Sequence, residues 1–200
     1  MTGSREEELV KRSRQGDLEA FTELVRIYEK KIFNLAYRFS GNQADAHDLA
    51  QETFIKAYQS LTALRDEKSF SAWLFQVAAN VCRDELRRKK KRSAFLSLDE
   101  VAASSGGVPL PAGSAACPEA GVEKRELSEA VQEVLNSLPD DYRLILVLRE
   151  LQGMSYEEMA AVLNISAGTV KSRLSRARRA FREEIWARGE LFAPFLRPFR

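Results

Sequence analysis

A run of six cations with no acid among them is the strongest chemical signal in the chain. Lys171, Arg173, Arg176, Arg178, Arg179 and Arg182 follow Ser166 on a stretch whose apolar residues, Val170, Leu174, Ala177 and Phe181, recur at steps of four and three. A helix pinned by one apolar stripe and otherwise coated with positive charge suits the DNA major groove, where a helix fits and base edges can be read. Lys171, Ser172, Ser175 and Arg176 lie on or beside its outer face near the N-terminal half, the part that meets bases. Arg176 is the candidate base reader, since a bidentate arginine–guanine contact discriminates by ~1–3 kcal/mol. Arg173 belongs to the same basic surface, and Arg178, Arg179 and Arg182 suit phosphates. Seen alone, the stretch also fits a basic solvated helix of a bundle. A second group, Trp73, Gln76, Asn80, Arg83 and Arg87, follows steps of three and four and shares one helix face. An aromatic ring, two amides and two guanidiniums suit single-stranded DNA: stacking on a base, reading its edges, holding phosphates. Trp73 suits core packing equally well.

The elements that would carry these groups are helical throughout. Ser155 and Glu158 have the spacing of a capping box, so a short helix with Met159, Ala160, Val162 and Leu163 on its apolar side starts there. Asn164 tolerates a left-handed backbone and can end it, and Ser166 can cap the basic helix that follows. Apolar residues recur at helical steps almost everywhere else outside the middle of the chain, and no alternating strand stands out. The fold class is therefore all-α: two small helical domains joined by a flexible linker, the second with a helix-turn-helix.

The first module spans about residues 6–94. A short helix precedes Gly16. Asp17 caps a second with the stripe Leu18, Phe21, Val25, Tyr28, Ile32, Leu35 and Phe39, ended by Ser40-Gly41-Asn42. Asn42 with Asp45 marks the start of a third helix carrying Leu49, Ala50, Phe54, Ala57, Tyr58 and Leu61. After a polar loop, Thr62–Ser69, a fourth starts near Ser71 and buries Leu74, Val77, Ala78 and Val81. Residues 95–121, dominated by Ala, Ser, Gly and Pro, read as linker. As a coil it would span roughly 30 Å, about one turn of DNA, and pulled straight ~90 Å. The second module, about 122–187, opens with Leu127, Val131, Val134, Leu135 and Leu138. Pro139 ends that helix or starts the next, Asp140 and Asp141 suit a helix N-terminus, Ile145, Leu148 and Leu151 continue the core, and Gly153 closes the helix. The tail 188–200, with its apolar run Leu191–Arg200, could pack on its own module or meet a partner.

Composition bounds the alternatives. The chain has 200 residues, 44% hydrophobic and 30% charged, a globular balance whose net charge of only +2 says nothing about nucleic acid, so the argument rests on where the charges lie. They are uneven: Arg87–Arg92 and the helix after Ser166 are basic, Glu6–Glu8 and Asp99–Glu100 acidic. Cys82, in a helical pattern, and Cys117, in the linker, do not suggest a disulfide framework, and nothing near either raises a redox role. One histidine, His47, reads as a surface residue and offers no zinc spacing. No apolar run spans a bilayer and Met1–Val10 lacks a signal peptide's apolar region.

The third helix carries the string DLAQETFIKAYQSL, Asp48–Leu61. Taken charge by charge, its outward face is an ordinary solvated one. As a whole the string resembles the polymerase-binding motif of bacterial sigma factors, specifically the extracytoplasmic-function group. FSAWLFQVAANVCRDELRRKKKR, Phe70–Arg92, is similar to that family's promoter-melting helix, and the stretch from Leu138 to Arg179 to its −35-binding region. Leu9–Arg92 thus resembles sigma region 2 and Leu127–Ile185 sigma region 4, while the linker and the last residues match nothing usable.

The resemblance implies an alternative sigma factor for a stress response, not an enzyme, with no cofactor or metal. It would bind core RNA polymerase (β′ and β subunits) through Asp48, Gln51, Glu52 and Phe54. It would read and melt the −10 element with Arg65, Phe70, Trp73, Gln76, Asn80, Arg83 and Arg87, a flipped base being captured by the loop Arg65–Phe70. It would bind −35 DNA with Lys171, Ser172, Arg173, Ser175, Arg176, Arg178 and Arg179. The family further implies an anti-sigma factor that masks these surfaces, a cytoplasmic location or tethering at the membrane through that partner, and no membrane insertion of its own. Two rivals are a stand-alone DNA-binding regulator, which the second module alone would suit, and a catalytic nucleic-acid enzyme. The first lacks an α/β receiver pattern, and the second lacks clustered carboxylates or a Gly-rich phosphate loop.

Overall fold

The computed structural model describes residues 2–96 and 118–192, and among these every regular element is helical. The first module comprises α1 (Thr2–Arg14), α2 (Leu18–Ser40), α3 (Gln43–Ser60) and α4 (Phe70–Leu96), with single 3₁₀ turns at Leu61–Ala63 and Glu67–Ser69. The second comprises α5 (Pro118–Ser137), α6 (Asp140–Leu146) running into a π-type turn Val147–Leu151, α7 (Tyr156–Leu163), α8 (Ala167–Ala187) and the short α9 (Gly189–Phe192).

Helix starts fall where short polar side chains can accept an orphan N–H. Asp17 accepts from Ala20 N, Asn42 from Asp45 N and Ser166 from Thr169 N. At Ser155 both halves of the capping box form: the hydroxyl accepts from Glu158 N at 3.1 Å, and the Glu158 carboxylate accepts from Ser155 N at 2.7 Å. Asn164 ends α7 in the left-handed region at φ 53°, which turns the chain sharply into α8.

Several expected core positions lie elsewhere. Leu18 is 62% exposed: it is the first residue of α2 and sits roughly 75° from the centre of the stripe Phe21–Leu24–Tyr28–Ile32–Leu35–Phe39 at 100° per residue. Tyr58 and Leu127 are also exposed, though Tyr58 packs its ring on Phe21 with centroids 4.9 Å apart. Leu151 is exposed because the π-type turn changes the helical phase after Leu148. Helix α4 buries more than its expected stripe. Phe75, Ala79 and Cys82 are buried beside Leu74, Ala78 and Val81, while Val77, expected in the core, is only half-buried at its edge; α4 has neighbours on two sides, α2 and α3 of its own module and α7 of the other. The two modules thus share one apolar core, running from Ile32, Leu35 and Phe39 to Leu135, Leu144 and Leu148.

The ends of the expected linker belong to helices: residues 95–96 close α4 and α5 starts at Pro118, so the second module begins before residue 122. Residues 97–117, with Cys117, lie outside the described residues, as do 193–200. Phe192, at the end of α9, is buried against Ala130 and Val134, so the start of the tail packs on its own module.

Candidate functional site

The basic helix is held by its apolar stripe. Val170, Leu174 and Ala177 are buried and Phe181 half-buried, which leaves Lys171, Ser172, Ser175 and Arg176 exposed on the opposite side. Arg176 lies along its own helix, Nε donating to Ser172 O at 3.3 Å, with no acid on it, so its guanidinium can turn outward to a base edge. Its neighbours are engaged. Arg178 donates to Glu150 at 2.7 Å, Arg179 to Glu183 at 2.8 Å, and Arg173 lies 3.3 Å from Asp141. All three are ion pairs that a phosphate could replace.

On α4, Trp73, Gln76 and Arg83 are half-buried, while Asn80 and Arg87 are exposed. Trp73 leans on Phe70, ring centroids 5.9 Å apart. Phe70 departs from expectation. It is 1% exposed, edge-on to Tyr28 at 5.7 Å, and is a core residue that offers no face to a base. Arg65 is exposed on the preceding loop, whose Asp66 caps the turn Glu67–Ser69 by accepting from Lys68 N at 3.1 Å. Arg14 clamps the same turn through Glu67 at 2.6 Å. Burial lowers the pKa of Arg83, opposed by Asp141, 3.9 Å away. Sequence reasoning did not reach Asp141 as part of either surface; only the fold, which packs α6 on α8 and brings Asp141 within 3.9 Å of Arg83 and 3.3 Å of Arg173, reveals it.

On α3, Asp48 and Gln51 are exposed, and Phe54 is half-buried at the edge of the stripe Ala46–Leu49–Ala50–Thr53–Ala57. Glu52 holds Lys56 at 2.7 Å and reaches Arg88 of α4 at 3.7 Å. Gln51 and Phe54 border a mainly apolar cleft of about 460 Å³ between α2 and α3, also lined by Val25, Phe33, His47 and Ala50 and by the charged Glu29 and Lys30. His47 is exposed as expected and tilts against Phe33, centroids 4.6 Å apart. Phe33, missed by sequence reasoning, is the contact that gives this cleft its aromatic wall. Its place directly after Ile32 of the α2 stripe is the sequence signal that could have found it.

Cys82 is buried, and desolvation pushes its thiol up to about 12, so it stays protonated at physiological pH. Among the described residues no cluster of His, Cys, Asp and Glu could hold a metal, and no helix is long and apolar enough to cross a membrane.

Two family profiles match the chain in this order: Sigma-70 region 2 over residues 24–92 and Sigma-70 region 4 over residues 128–181. The chain is 37% identical over 179 residues to the ECF RNA polymerase sigma factor SigW of Bacillus subtilis, covering 88% of this chain and 94% of that protein. It is 37% identical over 180 residues to the ECF sigma-E factor of Escherichia coli K12, covering 88% and 92%, and 35% over 182 residues to the sigma-H factor of Pseudomonas aeruginosa, covering 90% and 93%. Its fold is similar to that of the sigma factor RpoE of Bartonella quintana, solved with the anti-sigma factor NepR. That match has a TM-score of 0.65 and 27% identity over 84% of this chain and 98% of that one. CnrH, solved with the cytosolic domain of CnrY, shares the fold at a TM-score of 0.65 and 24% identity, covering 92% and 98%. The chain belongs to the extracytoplasmic-function RNA polymerase sigma factors. It is an alternative sigma factor, a transcription initiation factor that directs RNA polymerase to particular promoters.

Proposed function

We propose that the three surfaces divide the work of initiation. Helix α3 docks on core polymerase. Phe54 and the cleft beside it receive an apolar contact, while Asp48, Gln51 and Glu52 meet basic and polar groups around it. Glu52 exchanges its pairing with Lys56 and Arg88 for groups of the polymerase. Helix α4 and the loop before it bind the −10 strand. Trp73, Gln76 and Asn80 face bases; Arg65, Arg83 and Arg87 hold phosphates; Phe70 supports Trp73 from the core. Capture of an unstacked base offsets the few kcal/mol that opening costs per base, which requires no nucleotide hydrolysis. Helix α8 reads −35 duplex through Lys171, Ser172, Ser175 and Arg176, with Arg173, Arg178 and Arg179 on phosphates.

The observation that carries this reading is the cleft between α2 and α3, a mainly apolar groove to which the string Asp48–Leu61 contributes Ala50, Gln51 and Phe54. The RpoE–NepR complex supports an anti-sigma factor as a further partner of this chain; a cytoplasmic location, or tethering at the membrane through that partner, is part of the same proposal. The docking assignment is tested by a pull-down with core polymerase, comparing wild type with the double variant Glu52→Arg, Phe54→Ala. Loss of binding by a folded variant is expected; retained binding contradicts the assignment.

A further inference from the structure

The second module carries an apolar groove that no described residue fills. A cavity of about 290 Å³ opens between α5, the π-type turn and α8. Val131 and Leu135, Val147 and Leu151, and Phe181 supply its apolar walls. Its charged lining is Arg38 of α2 and the ion pair Glu150–Arg178. Leu151 stands in it 52% exposed, an apolar side chain that the phase change of the turn carries to the rim. Water finds few hydrogen-bond partners against such walls, so an apolar side chain is the better occupant.

The chain itself supplies one at the right place. Helix α9 lies on α5 and α8, with Phe192 buried against Ala130 and Val134. Val131 and Phe181 pack against that same cluster and also line the groove. The described chain therefore ends at the groove's edge, and eight residues follow, Ala193-Pro194-Phe195-Leu196-Arg197-Pro198-Phe199-Arg200. Pro194 bars α9 from continuing. Phe195 stands three residues past Phe192, about 10 Å of extended chain, which is the width of one helix; the whole segment reaches about 28 Å. The charges match as well. Arg178 Nε and Nη2 both donate to Glu150 Oε1, at 3.0 and 2.7 Å, which leaves Oε2 to accept a second guanidinium. The residue directly after Phe195-Leu196 is Arg197.

We propose that residues 193–200 fold back on their own module and fill this groove. Phe195 and Leu196 enter between its apolar walls, and Arg197 joins Glu150 on the oxygen that Arg178 leaves open. The tail is then a strap that braces Phe181, and with it α8, from the apolar side of that helix. Arg178 keeps its ion pair. The strap goes beyond the promoter reading and does not depend on it, since it involves neither DNA nor polymerase.

The test is methyl NMR on the full chain, carbon-13 labelled at Leu and Val methyls, without polymerase or DNA. The native chain should show nuclear Overhauser cross-peaks from the Phe195 ring to the methyls of Val131 and Leu151. The double variant Phe195→Ser, Leu196→Ser should lose these cross-peaks and shift the methyl signals of Val131, Val147 and Leu151, while Leu49 and Leu74 of the first module stay in place. Arg197→Glu, which sets an acid against Glu150, should weaken the same cross-peaks; unchanged intensity would contradict the Glu150 contact. A native chain without the cross-peaks, or a double variant whose groove signals do not move, overturns the strap. Cross-peaks that fade on about tenfold dilution place the tail of a second copy in the groove and overturn it too. Transcription by the reconstituted holoenzyme tests the promoter reading separately, so the two can fail independently.

Discussion

Arg176 and Arg179 are one helical turn apart, yet their surroundings differ. Arg176 rests on its own backbone, while Arg179 is tied to Glu183. Arg176→Ala should relax −35 preference by ~1–3 kcal/mol in discrimination, whereas Arg179→Ala should weaken matched and scrambled DNA alike and lower the salt slope by about one. Holoenzyme affinities for both duplexes across a salt series check this, and equal losses by the two variants contradict it. Cys82 makes a different prediction. A thiol pushed up to about 12 by burial should resist a disulfide reagent in folded protein and react fully in denaturant, as thiol titration of the Cys117→Ser variant would show. The charges and their helix faces were legible in the sequence because periodicity alone orients them. The fate of Phe70 was not, since a motif match fixes a position in a string while Tyr28 and Trp73 fix what the ring touches.

Helix boundaries were the most legible elements, because caps are local. Asp17, Asn42, Ser155 and Ser166 all accept the N–H that their spacing anticipates. Replacing Asn42 or Ser166 by Ala should cost about 1 kcal/mol each, read from urea unfolding, and Ser166→Ala should also weaken −35 binding by loosening the start of α8. The π-type turn at Val147–Leu151 and the second buried stripe of α4 were illegible. Both depend on what packs alongside, and a sequence period records only how many faces are apolar. Arg143 illustrates the point: it sits in LPDDYR like an ordinary surface arginine, yet it is buried and bonded only to carbonyls, from two modules. Arg143→Leu strands those acceptors and should destabilise the protein by at least about 2 kcal/mol in the same assay. A change below about 0.5 kcal/mol, the range of ordinary surface substitutions, would contradict the capping role.

At the scale of the molecule, two domains and their order were readable, and their mutual packing was not. The expectation of separate cores on a tether followed from composition: apolar periodicity on either side of a stretch rich in Ala, Ser, Gly and Pro. The shared core through Phe39, Leu135 and Leu148 arises from surfaces that each look like the edge of an amphipathic helix. Under the proposed function, α4 serves the −10 strand and α8 the −35 duplex. The division of duties between them is tested most directly by combined DNase I and permanganate footprinting of the reconstituted holoenzyme on a promoter it transcribes. The account predicts protected −35 duplex together with reactive, unpaired thymines at −10, both dependent on core polymerase and on the chain. Promoter occupancy by the chain alone, or a holoenzyme complex in which the −10 thymines stay unreactive, would contradict it.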